Sequence, residues 1–147
     1  KADCLLYFGG GLFHPFGAEV NIPYFLFDPF SGKAERIDEE IVRIQKRKRG
    51  MLIACADSKV KNFGILVSTK NGQFNLSGAE KVKKVLESKG RNAYILVSNF
   101  IDPLALQDFN FFDAYINTAC PRIPEDYERY GKPVIDISDF KKLEELL

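Results

Sequence analysis

The sequence predicts an α/β protein with parallel sheets flanked by helices, in which one near-complete four-strand domain is preceded by part of a similar domain. Short apolar runs alternate with helical patterns from residue 63 onward, which is typical of a parallel sheet covered on both faces. Hydrophobic residues make up 46% of the 147, and the 11 Gly and 7 Pro are an ordinary globular content. The length is sufficient to bury a core.

The first portion of the chain contains fewer elements than a complete α/β domain needs. The continuous apolar run Cys4–Phe8 stops at three glycines, as a buried parallel strand entering a loop does. A second apolar run, Tyr24–Phe27, is closed by a turn-like segment, and Asp38 is a good N-cap for the apolar pattern that follows it. We therefore expect two strands and a helix over about 38–58.

The second portion has a regular strand–helix rhythm. The predicted strands are Phe63–Ser68, Ala93–Ser98, Ala114–Asn117 and Pro133–Ile137, and helices are expected to begin at Ser77, Pro103 and Ser138. The boundary between the two portions is predicted near residue 60, which gives a partial domain over 1–60 and a C-terminal domain over 61–147.

Charge and cysteine content exclude several classes of protein. With 21 basic and 20 acidic residues the net charge is +1, so no overall field attracts nucleic acid or an anionic membrane. The odd number of cysteines, three, does not make a disulfide framework and fits a reducing cytoplasm. The chain begins with Lys1 and enters an apolar run almost at once, so we expect an upstream part of the protein to be missing.

Ligands of open parallel sheets bind outside the carboxyl ends of the strands, and three loops at such positions are unusual. Gly9–His14 contains Gly9, Gly10 and Gly11, whose amides could approach an anionic or carboxylate ligand, although the residues alone favour a simple tight turn. His14 in this loop could be structural or chemical. The loop Ser68–Gln73 could bind a small zwitterion, or it could simply connect a strand to a helix.

The third loop, Asn117–Arg122, contains the strongest candidate, Cys120. Arg122 beside it would favour the thiolate and could also bind a carboxylate. Cys4 and Cys55 lie in apolar patterns typical of core cysteines, and no CxxC pair indicates a self-contained zinc or ferredoxin-type site. The basic run Lys46–Arg49 is best explained as a solvated helical face, and the alternative is a docking patch for an acidic or ribosome-associated partner.

At these loops the sequence resembles the archaeal diphthamide synthase family. Residues 112–123 (FDAYINTACPRI) resemble its C-terminal cysteine motif, 63–73 (FGILVSTKNGQ) its preceding strand and loop, and 9–15 (GGGLFHP) its glycine-rich loop. The resemblance implies a 4Fe-4S cluster held by one cysteine from each of three similar domains. It implies transfer of the 3-amino-3-carboxypropyl group of S-adenosylmethionine, as a radical, to a histidine of translation elongation factor 2. It further implies a cytoplasmic homodimer that uses an electron donor.

Mapped onto this sequence, the resemblance makes Cys120 the metal ligand of the C-terminal domain and 1–60 part of the middle domain. The residues expected around S-adenosylmethionine are Gly9, Gly10, Gly11, His14, Ser68, Thr69, Gln73 and Arg122. The other two ligands would fall before Lys1, so we expect the isolated chain to be inactive and cluster-free. A catalytically silent partner subunit of the same fold and an iron-free small-molecule binding module are the alternatives.

Overall fold

A computed structural model of the chain describes residues 2–11, 15 and 22–147, without the side chains of 124–127. It divides into two compact units, the first ending at Arg49 and the second beginning at Gly50. This division lies inside a helix, α1 (Asp38–Ala56), rather than near residue 60. The predicted pair of domains with a boundary at residue 60 stays a prediction.

The first unit contains a three-stranded sheet in the order β1-β2-β3. Strand β1 (Leu5–Phe8) pairs in parallel with β2 (Tyr24–Asp28), and β3 (Lys33–Arg36) pairs antiparallel with β2. The prediction of parallel sheets is therefore wrong for the first unit, because β3 is antiparallel and is not among the strands predicted from the sequence. Its sequence KAER has no apolar alternation, because every residue of this edge strand is exposed.

Burial in the first unit is one-sided. Tyr24, Leu26, Ile37 and Ile41 form its core, to which Leu5 and Tyr7 of β1 add partly buried contacts. The opposite face of β1 exposes Leu6 (59%) and Phe8 (66%), so the expectation of a fully buried strand is wrong for that face. Cys4 precedes β1 and is exposed, which also corrects its interpretation as a core cysteine.

The second unit contains a wholly parallel four-stranded sheet in the order β5-β4-β6-β7. Its strands are β4 (Asn62–Ser68), β5 (Asn92–Ser98), β6 (Ala114–Asn117) and β7 (Val134–Asp136). Its helices after α1 are α2 (Leu76–Ser88), α3 (Pro103–Gln107) and α4 (Phe140–Leu146), with 3₁₀ helices over Ile123–Tyr130 and Ile137–Asp139. The predicted four-strand unit is confirmed.

Helices cover both faces of this sheet, as the strand–helix alternation predicts. On one face the end of α1, α2 and α4 pack on the sheet through residues such as Cys55, Leu86 and Leu143. On the other face, α3 and the 3₁₀ helix over Ile123–Tyr130 pack on it through Leu106 and Tyr130. The fold class is therefore α/β, with a four-strand parallel sheet between two layers of helix.

The start of the last helix differs from the prediction. Asp136 rather than Ser138 caps this region, because its carboxylate oxygen Oδ1 accepts a hydrogen bond from the Ser138 backbone amide at 3.0 Å. The resulting 3₁₀ turn moves the start of α4 to Phe140. This places a carboxylate at the end of β7, on the edge of the sheet described next.

Candidate functional site

The carboxyl ends of β4 and β6 form the topological switch point of the second unit. From β4 the chain crosses to β5 on one side, whereas from β6 it continues to β7 on the other side. Leu66 of β4 pairs with Asn117 of β6. The backbone amide and hydroxyl of Thr118 both donate to the Leu66 carbonyl oxygen, at 3.0 and 2.9 Å. Two of the three predicted ligand loops therefore leave the sheet side by side, where open α/β sheets bind ligands.

The loop after β4 is shaped by its own polar groups. Ser68 is buried, and its hydroxyl oxygen accepts a hydrogen bond from the Lys70 amide at 3.1 Å. Thr69 is exposed; its amide donates to the Ser98 carbonyl at 3.0 Å, and its hydroxyl lies 3.4 Å from the Asn99 amide oxygen. The Gln73 amide closes the turn on the Lys70 carbonyl at 3.0 Å. The hydroxyl of Thr69 and the half-buried side chain of Gln73 reach the surface of this edge, and their contact with a ligand stays a prediction.

The loop after β6 is organised by Asn117. The Asn117 side chain is fully buried, and its Nδ2 donates to the Cys120 carbonyl oxygen at 2.8 Å and to Asp136 Oδ2 at 2.9 Å. Its Oδ1 accepts from the Ala119 amide at 3.1 Å. Neither Asn117 nor Asp136 is among the site residues predicted from the sequence. Asn117 could have been identified from the sequence, because it places a polar amide at the end of the otherwise apolar strand AYIN.

The three cysteines occupy three different environments. Cys120 is partly exposed at the switch point, and Arg122 beyond it is exposed. Cys55 is 0% exposed, and burial raises the pKa of its thiol to about 12. The prediction that Cys55 is a core residue is confirmed. Among the three cysteines, Cys120 alone combines partial exposure of the residue with a place at the carboxyl edge of the parallel sheet, where ligands of such sheets generally bind.

Cys55 is expected to resist alkylation in the folded protein. At pH 8, iodoacetamide should modify the exposed Cys4 and leave Cys55 unmodified, because a buried thiol with a raised pKa is neither accessible nor ionised. Since the thiol ionises more readily when unfolded, stability should fall as the pH rises from about 9 to about 12. Peptide mass spectrometry with and without denaturant measures the first effect. Equal labelling of Cys4 and Cys55 under native conditions would contradict it.

The remaining candidates lie in the first unit or outside the described residues. Gly9 continues the parallel ladder by donating its amide to the Phe27 carbonyl at 3.0 Å, Gly10 is exposed, and Gly11 adopts a positive φ of 77°. A positive φ favours glycine at position 11, because residues with a Cβ rarely adopt that backbone conformation. His14 lies outside the described residues, so its role stays a prediction.

The exposed basic run of α1 and the apolar character of the helices bear on what the surface of the chain could contact. Three of the four basic residues in the run Lys46–Arg49 are exposed on α1, which fits a solvated helical face; a docking role stays a prediction. Across the described ranges, no helix has both the length and the apolar character that a membrane crossing requires.

Comparison with known proteins places these features in a family. The model of the family of diphthamide synthesis proteins matches residues 1–143. The 2-(3-amino-3-carboxypropyl)histidine synthase of Pyrococcus horikoshii is 34% identical over 92% of this chain and 39% of its own length. The Methanocaldococcus jannaschii synthase is 33% identical over 96% of this chain and 42% of its own length.

A solved structure agrees with the sequence relatives. The crystal structure of Dph2 from Pyrococcus horikoshii with a 4Fe-4S cluster superposes with a TM-score of 0.82 at 32% identity, covering 100% of this chain and 42% of that one. The chain thus spans about two fifths of the length of the relatives it matches. The family match extends over nearly all of its residues, and the chain belongs to the diphthamide synthesis family.

Proposed function

We propose that the chain is part of a 4Fe-4S enzyme that transfers the 3-amino-3-carboxypropyl group of S-adenosylmethionine to a histidine of translation elongation factor 2. The observation that carries this proposal is the position of Cys120. It is the partly exposed cysteine at the switch point of the parallel sheet. The relatives named 2-(3-amino-3-carboxypropyl)histidine synthase and the cluster-containing Dph2 structure support the reaction and the cofactor.

The described residues of this chain could supply one ligand of an iron–sulfur cluster but not a complete cluster site. A thiolate is the soft ligand that iron–sulfur clusters take, and Cys120 is a partly exposed cysteine at the edge of the sheet. The described part of the chain contains no group of three or more His, Cys, Asp or Glu that could hold a metal. Cys120 would therefore hold one iron, and further ligands would come from outside the described residues. The isolated chain is expected to be cluster-free and inactive.

The chemistry of the reaction divides between the cluster and the protein. When bound, the cluster would supply the electron that cleaves a carbon–sulfur bond of S-adenosylmethionine. Thr69, Gln73 and Arg122 present polar or charged groups at or beside the same sheet edge, where they would bind the amino and carboxylate groups of this substrate. Ser68 would act through its hydrogen bond to the Lys70 amide, which shapes the loop.

The glycine loop would contribute through its backbone. Gly9 already uses its amide in the β1–β2 ladder, so the exposed residues Gly10 and Gly11 are the ones whose amides could reach a carboxylate. We also propose, from the family resemblance, that the assembled protein is a cytoplasmic homodimer supplied by an electron donor. Translation elongation factor 2 would be its protein partner, with no role for nucleic acid or membrane.

The test of the proposed function is the fate of an isotopic label. The assembled, cluster-loaded protein is incubated anaerobically with a reductant, elongation factor 2 and S-adenosylmethionine labelled in either the carboxyl or the methyl carbon. Label from the carboxyl carbon should reach the factor, and label from the methyl carbon should not. A factor whose acceptor histidine is replaced is the matched control. Transfer of the methyl label, or transfer without iron, would overturn the proposal.

A further inference from the structure

The peptide carbonyl of Cys120 is held by a side chain from the strand that precedes it. Asn117 is fully buried, and its side chain makes three hydrogen bonds to groups at the edge of the sheet. The orientation of the Asn117 side-chain amide follows from its partners. The Cys120 carbonyl and the Asp136 carboxylate can only accept hydrogen bonds, so the NH₂ group of Asn117, which has two donors, must face both. The Cys120 carbonyl also accepts the Ile123 amide at 3.0 Å. The backbone on both sides of the cysteine is therefore constrained.

Asp136 anchors this arrangement to a second strand. It pairs in register with Asn117 across β6 and β7, and one carboxylate oxygen accepts the Asn117 amide while the other accepts the Ser138 amide at 3.0 Å. Its own position is thus set by the start of the 3₁₀ turn that follows β7. The chain of contacts runs from β7 through Asp136 and Asn117 to Cys120.

We propose that Asn117, braced by Asp136, is the positioning residue for Cys120. The inference rests on the proposed function, in which the sulfur of Cys120 holds an iron. Asn117 touches no reacting atom; it fixes the loop from which the sulfur is presented. Groups that orient a metal ligand in this way typically change metal affinity by about 10–100-fold when they are removed.

Exchanging the side chains of Asn117 and Asp136 distinguishes an effect on the position of Cys120 from a loss of protein stability. In the double variant N117D/D136N the net charge is unchanged, and the amide introduced on β7 can donate to the carboxylate introduced on β6. That carboxylate can still accept the Ala119 amide. The Cys120 carbonyl alone loses its side-chain donor and faces a carboxylate oxygen instead. The matched control is Thr118→Val, which removes a buried hydrogen bond to Leu66 at the same edge without touching Cys120.

The experiment compares these variants in the assembled protein reconstituted with iron and sulfide. Three quantities are measured: the rate of iron loss to a chelator, the electron paramagnetic resonance spectrum of the reduced cluster, and the alkylation rate of Cys120 before reconstitution. We expect the exchange to accelerate iron loss about 10–100-fold, to alter the spectrum and to change the alkylation rate. Thr118→Val should match the wild type in all three.

The outcomes distinguish this inference from the proposed function. If the exchange variant keeps wild-type iron loss and spectrum while Cys120→Ala loses the cluster, the positioning role is overturned and the proposed function stands. If Cys120→Ala retains the cluster, both are overturned. Should the exchange variant lack a native thermal transition, Asp136→Ala decides instead. It leaves the Asn117–Cys120 hydrogen bond and removes the contact with Asn117 together with the cap on the Ser138 amide, so we expect a smaller shift in the same direction, and no shift would overturn the inference.

Discussion

Replacing Cys120 by alanine is expected to remove both the iron–sulfur cluster and the transferase activity of the assembled protein. A site-differentiated cluster with three protein ligands cannot tolerate the loss of one thiolate, because alanine offers no donor at that iron. The measurements are iron and sulfide per polypeptide after anaerobic reconstitution, together with transfer of the labelled group. Activity should fall to the level of protein without iron.

The other two cysteines provide matched controls for the same chemical change. Cys4→Ala alters an exposed side chain and should leave iron content and activity unchanged. Cys55→Ala removes a buried sulfur and should cost roughly 1 kcal/mol of stability while the cluster remains. Loss of the cluster in Cys55→Ala, or its retention in Cys120→Ala, would contradict the assignment.

The same series separates the competing functions. An iron-free binding module predicts that Cys120→Ala leaves iron content and activity unchanged. A catalytically silent partner predicts that the wild-type protein takes up no cluster and becomes active only with a sister subunit. If the chain is part of the proposed enzyme, the cluster and the activity should both be lost in Cys120→Ala and in neither of the other two alanine variants. Iron content and activity of the wild type and the three alanine variants, measured with and without a sister subunit, therefore distinguish the three functions.

The parallel second unit could be predicted from the sequence because its signals are local. Continuous apolar runs such as Phe63–Ser68 are the composition of a strand buried on both faces, and both faces of β4 are indeed covered. The position of Cys120 followed from the same pattern, since it lies in the loop that follows such a strand. Where each strand is buried on both sides, the sequence contains enough information to locate the carboxyl edge of the sheet.

The features that could not be predicted depend on partners distant in the sequence. Strand β3 forms because β2 offers hydrogen bonds to it, and its four exposed residues leave no hydrophobic pattern. The exposure of Phe8 likewise depends on what packs against β1 rather than on its apolar composition. The Asn117–Asp136 contact joins residues 19 apart through strand register, which a single sequence does not reveal.

Gly64 is the position where adding one methyl group should destabilise the second unit most clearly. It lies in the buried centre of β4, and a Cβ atom there would stand 2.7 Å from Tyr115 Cδ1 and 3.3 Å from Leu96 Cδ1. The Tyr115 ring cannot withdraw freely, because it is fully buried and its hydroxyl donates to the Leu106 carbonyl at 3.1 Å. Overpacking of this kind costs about 1–3 kcal/mol.

The matched control is the same substitution at Gly50, for which the opposite sign is expected. Gly50 is an exposed residue of α1 with no atom within 4 Å of an added Cβ, so Gly50→Ala should stabilise the helix by about 0.5–1 kcal/mol. Urea denaturation followed by circular dichroism measures both changes. In a Tyr115→Leu background Gly64→Ala should cost less, because the ring that the methyl group would strike is gone. An equal cost of Gly64→Ala in both backgrounds would contradict the clash with Tyr115 and point to the strand backbone instead.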